Sequence, residues 1–236
     1  MNWDFWRMAA PAAGRTGYRM NFGSPNSLVG AFFLISLLSI LPAILIMFTS
    51  FTRIVIVLSF MRQAIGGAQI PPNPVIMGLA FFLTLFVMSP TINAVTKNAV
   101  DPYLNHQIKI QQALDQAAPP VKDFMLRQTR QEDLALFVKV AREDKLVNTD
   151  VKTPADLPLQ VIVPAFAISE LKTAFEIGFL IYLPFLVIDM VVSSILMSMG
   201  MMMLPPVLIS LPFKLLLFVL VDGWNLLAGA LIRSFH

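Results

Sequence analysis

Any chemistry in this chain must come from charges placed where charges are costly. Arg53, Glu170, Lys172, Glu176, Asp189, Lys214 and Asp222 interrupt stretches that are otherwise apolar. A charge at the centre of a bilayer costs about 2.5–3.5 kcal/mol even on the lenient insertion scale. Residues that persist there pair with one another, line a water-filled path or relay protons. The densest group is Glu170-Leu-Lys-Thr-Ala-Phe-Glu176. On a helix Lys172 and Glu176 are four residues apart and are expected to pair on one face. Glu170 and Lys172 are two apart and point to different sides. Glu170 is therefore expected to need a partner from another helix or another chain. An interfacial cluster at a helix end, wetted by lipid headgroups, is the alternative. Asp189, alone in its span, suits either a proton relay or a structural pair.

A second group carries no charge at all. Met197-Ser-Met-Gly-Met-Met-Met-Leu-Pro-Pro206 lies between two long apolar stretches. Met199, Met201, Met202 and Met203 have unbranched, flexible side chains, and a cluster of them forms a surface that deforms and reseals. Gly200 relaxes the backbone, while Pro205 and Pro206 cannot continue the preceding helix. The segment reads as a compliant apolar hairpin tip. The plainer reading is a hairpin turn that happens to be rich in Met.

Other chemistry is missing. The sequence has no H-E-x-x-H, no G-x-S-x-G and no Gly-rich phosphate loop. His106 and His236 are the only histidines and neither has metal ligands nearby in sequence. There is no cysteine, which excludes thiolate metal sites, disulfides and Cys nucleophiles. No enzymatic activity, cofactor or metal is expected, and energy for any transport must come from elsewhere.

The elements that position these groups follow from composition. Of 236 residues 57% are hydrophobic and only 13% charged, and mean hydropathy is +0.73. Soluble domains hold about 45–50% apolar and about 25% charged residues, so this is a membrane protein. Net charge is +3, with no basic run carrying interleaved aromatics, so nucleic acid is not expected as a partner.

Residues 1–27 read as a flexible tail without the apolar run of a signal peptide. A first kinked helical hairpin spans 28–92. Its arms are Leu28–Phe48, with a kink expected at Pro42, and Val75–Met88, ending at Ser89-Pro90. A polar insertion spans 93–158. Within it, a helix is expected to begin after Pro119-Pro120 with Asp123 in its first turn, and Thr129-Arg-Gln-Glu132 reads as a capping box. Leu134, Phe137, Val138 and Ala141 make one apolar stripe, so the insertion is a small helical subdomain with a face to pack. A second hairpin spans 159–236, with Pro164 and Pro184 inside its first arm and the Met-rich loop 197–206 at its tip. Nothing in the pattern alternates as strands do. Charge gives a contradictory topology. Arg53 and Arg62 would hold the first loop inside the cell, and Arg7, Arg15 and Arg19 would hold the N-terminus there too.

Several strings resemble the FliP proteins of the flagellar type III export gate. They are Leu41-Pro-Ala-Ile-Leu45, Thr49-Ser-Phe-Thr-Arg-Ile54, Pro71-Pro-Asn73, Phe81-Phe-Leu-Thr84, Met88-Ser-Pro90, Phe124-Met-Leu-Arg-Gln-Thr-Arg130, Asp133-Leu-Ala-Leu-Phe137, Ser169-Glu-Leu-Lys-Thr-Ala-Phe175, Met199-Gly-Met-Met-Met203, Leu211-Pro-Phe-Lys214 and Phe218-Val-Leu-Val-Asp-Gly-Trp224. The resemblance runs from about residue 28 to residue 236 and is shared in part by injectisome proteins.

It implies an all-α membrane protein whose kinked helical hairpins pack in a ring-shaped oligomer, a pentamer, with a small helical extracytoplasmic (periplasmic) insertion. It implies the partners FliQ and FliR, other export-gate components and unfolded flagellar export substrates. The place implied is the bacterial inner membrane, at the flagellar basal body, with much of the complex raised toward the periplasm. That arrangement would resolve the charge conflict. It implies a pore gasket at Met199, Met201, Met202 and Met203, hinged at Gly200, Pro205 and Pro206. Glu170, Lys172, Glu176 and Asp189 are then buried or inter-subunit charges. The family usually begins with a cleavable signal peptide, a pattern that residues 1–27 do not show. A subunit of a solute or ion transporter and a structural membrane scaffold are the competing readings. A transporter should show broken helices around a polar midplane site.

Overall fold

The computed structural model describes residues 42–66, 71–144, 153–201 and 204–235, together with Phe32, Ile35, Ser36 and Ser39. The chain divides into two compact units, Met1–Leu41 and Pro42–His236. The described residues of the first unit are helical. The tail expected over 1–27 and much of the Leu28–Phe48 arm lie outside the described residues.

Within Pro42–His236 every regular element described is a helix. Helix α1 (Pro42–Phe48) meets α2 (Phe51–Ile65) at an 85° bend. Such a bend orphans backbone groups, and local hydroxyls take them up. Thr49 and Thr52 donate to the Leu45 and Ile46 carbonyls, the latter at 2.7 Å. The Phe51 N–H donates to Thr49 Oγ1 at 3.3 Å.

Helix α3 (Asn73–Val95) runs straight through Pro90 and continues as a π turn, Thr96–Val100, into α4 (Asp101–Leu104). The stop expected at Ser89-Pro90 is therefore corrected, and the helix crosses the 92/93 boundary drawn from composition. Pro90 deletes one bond, to the Phe86 carbonyl. Val87, Met88 and Thr91 are buried around it and hold the helix in place.

The insertion folds as α5 (Ile110–Gln128), α6 (Gln131–Glu143) and a short 3₁₀ turn, Pro154–Asp156. Pro119 and Pro120 lie inside α5 rather than before it. They line a solvent-open cavity of about 590 Å³ with Asp115 and Gln116, so water can reach the carbonyls they leave unbonded. The capping box does not form. Thr129 Oγ1 turns back to the Met125 carbonyl at 2.7 Å, and Arg130 is the N-cap. The apolar stripe does pack: Ala141 is buried, and Leu134, Phe137 and Val138 lie against the core.

Helix α7 (Leu159–Ser198) is 40 residues long and contains both Pro164 and Pro184. Helix α8 (Pro206–Leu220) returns along it, and α9 (Gly223–Arg233) breaks away at 64°. Asp222 makes that break with a left-handed φ of 51°. Gly223 follows because a Cβ there would stand 2.2 Å from the Phe218 ring.

The core lies between α2 and α7. Ile54, Val57, Leu58 and Met61 recur at helical spacing on α2 and are at most 1% exposed. They share one core with Ile162, Phe166 and Ala174 of α7, all buried. Burying each large side chain is worth about 1.5–3 kcal/mol. The helices approach closely at Gly178, where an added Cβ would stand 2.6 Å from Cδ2 of Phe60.

Among the described residues, Asn73–Leu104 and Leu159–Ser198 are long and apolar enough to cross a membrane, and counting each bent pair as one span gives up to four.

Candidate functional site: paired charges and an apolar hairpin tip

Arg53 projects from the first turn of α2 into a junction of α5, α7 and the residues after α9. Its guanidinium is a rigid planar fork with five N–H donors and no acceptor. Nε donates to Glu170 Oε2 at 3.0 Å and Nη2 to Glu170 Oε1, a bidentate pair. Nη2 also reaches Gln128 Oε1 on α5 at 3.1 Å. Nη1 donates to the Ser234 carbonyl at 2.7 Å and to Ser234 Oγ at 3.1 Å. The Phe235 ring lies under the guanidinium at 3.9 Å and stacks on Phe124. Gln128 Nε2 closes the ring of contacts on the Phe235 carbonyl at 2.9 Å. A buried charge pair is tolerable only when its remaining donors are satisfied, and here α5, α7 and the residues after α9 satisfy the guanidinium of α2 together.

Glu170, fully buried, thus finds its partner within its own chain. The expectation that it draws on another helix holds. The need for another chain does not arise from it, and the ring loses that argument.

The other side of the same α7 segment faces α6. Ser169 Oγ accepts from the Arg130 N–H at 3.0 Å and donates to Asp133 Oδ2 at 2.8 Å. Lys172 Nζ bonds Asp133 Oδ1. Arg130 Nη2 reaches Glu176 Oε2 at 2.5 Å and Thr173 Oγ1 at 3.2 Å. The expected Lys172–Glu176 bond is therefore corrected: Lys172 bonds Asp133 of α6 and Glu176 bonds its N-cap, Arg130. An exposed pair on one helix is worth about 0.2–0.5 kcal/mol, whereas Asp133 is only 3% exposed and must be paired. Burial pushes the Asp133 carboxyl up, but hydrogen bonds from Lys172 and Ser169 outweigh it. With the Lys172 and Arg130 charges they hold the carboxyl below its usual value. The Glu176 bond holds the Arg130 guanidinium above its own.

A third pair ties the second hairpin together. Lys214 Nζ bonds Asp189 Oδ2 at 2.6 Å, and Ser210 Oγ bonds Asp189 Oδ1 at 2.5 Å. Lys214 is buried and Asp189 partly so. Asp189 therefore has two donors from α8, as a structural pair has. The sequence reading named Arg53 and Lys214 as interruptions of apolar stretches, and Arg53 also as a topology signal, but gave neither a partner. Charge matching across helices, one unpaired base against one unpaired acid, was the available signal. Nothing in the sequence pointed to Gln128, Ser234 or Phe235.

The hairpin tip begins where α7 ends. The Gly200 N–H bonds the Met197 carbonyl at 3.1 Å, and the Met201 N–H bonds the Leu196 carbonyl at 3.0 Å. This is a Schellman motif, with Gly200 in the left-handed region at φ 76°. Pro205 caps α8 and Pro206 starts it. Met197, Met199 and Met201 are exposed, at 61%, 66% and 40%. Met202 and Met203 lie outside the described residues. Among the described residues no group of His, Asp and Glu is arranged to hold a metal ion.

Comparison with known proteins bears on the whole chain. The profile of the FliP family matches residues 34–231. The flagellar biosynthetic protein FliP of Bacillus subtilis (strain 168) is 55% identical over 210 residues, covering 89% of this chain and 93% of that protein. The protein of the same name from Pectobacterium carotovorum subsp. carotovorum is 54% identical over 203 residues, 86% of this chain and 77% of that one. That of Caulobacter vibrioides is 51% identical over 233 residues, 97% and 86% respectively.

Proposed function

This chain belongs to the FliP family, and on that premise we propose that it is a pore-forming core subunit of the flagellar type III export gate. It passes unfolded flagellar proteins across the bacterial inner membrane. Several copies, five in this reading, form a ring with FliQ and FliR. The polar insertion lies on the periplasmic side, and the Met-rich tips meet at the pore as a seal.

The observation that carries this reading is the α7–α8 tip. It is uncharged and exposes Met197, Met199 and Met201 at the end of two apolar helices. Asp189 and Lys214 keep those helices in register. A narrow apolar constriction dewets and blocks ions, while thioether chains repack around whatever polypeptide passes. The lateral faces support assembly. In the most apolar window of α7 only 6% is buried within one chain, and Phe175, Phe179, Val187 and Val191 stand exposed. With the buried charges paired internally, apolar packing is left to hold the ring.

A solute transporter would keep polar groups free at mid-span to receive its cargo. Arg53, Glu170, Asp189 and Lys214 are engaged with each other, which favours the export gate. The test is native mass spectrometry of the detergent-purified chain co-expressed with FliQ and FliR. A closed ring containing all three is expected. A stable monomer at working concentration overturns the reading.

A further inference from the structure

Where α9 breaks away from α8 it leaves an apolar groove of about 610 Å³ between α7, α8 and α9. Leu180, Pro184 and Phe185 form one wall, with Leu217, Leu226 and Ala230 opposite. Among the lining residues a single one is ionisable, Arg233, in the last turn of α9. Its side chain lies back along the helix toward Gly229. A Cβ at Gly229 would stand 3.2 Å from Arg233 Nη2, so the glycine makes room for the guanidinium there. Among the described residues Arg233 makes no ion pair, whereas Arg53, Arg127, Arg130, Lys172 and Lys214 each do.

An apolar groove with one cation in its lining is complementary to one kind of molecule in a bilayer. That molecule has an apolar tail and an anionic head. We propose that the groove is a phospholipid site, with an acyl chain along Pro184, Leu217 and Ala230 and an anionic headgroup phosphate on Arg233. Guanidinium binds phosphate through two parallel N–H bonds, and so prefers it to a point acceptor. Basic sites between membrane helices take anionic headgroups on the same grounds. The acyl chain removes the apolar walls from any water reaching the bend at Asp222. The site requires only that the chain sit in a bilayer, so it stands or falls apart from the export-gate reading.

The test uses the full chain in mild detergent, titrated with phosphatidylglycerol or with phosphatidylcholine of the same acyl chains. Native mass spectrometry counts the lipid retained. Wild type is expected to retain phosphatidylglycerol over phosphatidylcholine. Arg233→Gln should lower phosphatidylglycerol retention by about tenfold, the order expected for one lost charge-assisted contact, and leave phosphatidylcholine unchanged. Arg233→Lys should recover part of the loss. Ala230→Trp should fill the groove and remove both lipids, with helical content by circular dichroism matching wild type. Equal phosphatidylglycerol retention by wild type and Arg233→Gln overturns the proposal. A second occupant is tested in native membranes through Ala230→Cys, the sole cysteine in such a variant. Its disulfide crosslinking to another protein chain would place protein, not lipid, in the groove and also overturn it.

Discussion

Arg53 and Glu170 stand 117 residues apart in sequence and meet in a bidentate contact, Nε to Oε2 at 3.0 Å, with neither side chain more than 2% exposed. Removing one partner strands the other in the core, at a cost of about 3–5 kcal/mol. Removing both in favour of apolar groups of similar size restores much of that. Arg53→Met and Glu170→Leu should each lower the thermal midpoint in detergent sharply, and the double variant should lie above either single one. If the two single effects simply add, the pair is not coupled and the junction owes its stability to Gln128, Ser234 and Phe235 instead.

Asp133 and Lys172 predict a pH effect whose sign is set. Asp133 has a folded-state carboxyl held below its unfolded value. Its contribution is therefore fully present above the ordinary carboxylate range, near pH 4. It is lost as pH falls through the depressed folded value. Lys172→Met removes the main counterweight to burial and should move the onset of acid unfolding to higher pH. Lys172→Glu should be worse, because it sets a second acid against Asp133. Acid titration followed by circular dichroism measures both, and identical curves for wild type and Lys172→Met would show that Ser169 and Arg130 hold the carboxylate without Lys172.

Gly178 is required by the α2–α7 crossing. Its nearest neighbours are Cδ2, Cγ and Cβ of Phe60, at 2.6, 2.7 and 3.0 Å from an added Cβ. The Phe60 Cβ is fixed by the backbone, and moving Cγ and Cδ2 away needs a change of χ1. Gly178→Ala should cost about 1–3 kcal/mol through overpacking. Phe60→Leu in the same chain should relieve part of it. Unchanged stability of Gly178→Ala would mean the helices separate freely.

The Met-rich tip predicts a leak. On the proposed reading of the tip as a seal, replacing Met201, Met202 and Met203 by Ala shortens the side chains and removes their compliance. Cells expressing the assembled complex should then pass ions or small dyes while export persists. Leu at the same positions keeps the volume but stiffens the side chains, so the pore should seal at rest and export slowly. Conductance and motility with matched expression measure both variants. If the triple Ala variant leaks no more than wild type, the tip is only a turn.

The helical, membrane-embedded class was legible in the sequence because hydropathy acts locally and these stretches have no competing period. The turn after α7 was legible in part: Gly200 can take the left-handed conformation that a helix end needs, and Pro206 can begin the next helix. So was the apolar stripe of α6. Helix ends at prolines were not. Pro90, Pro119, Pro164 and Pro184 each remove one backbone bond, and whether the helix survives depends on what packs beside the break.

Partner choice was the other decision left to tertiary structure. By spacing alone Lys172 belongs with Glu176, four residues on. In the fold α6 docks on α7 and brings a nearly buried Asp133 to Lys172 and Arg130 to Glu176. An ion pair's strength depends on how much water its members have lost. Desolvation is a property of packed surfaces, and no local spacing contains it.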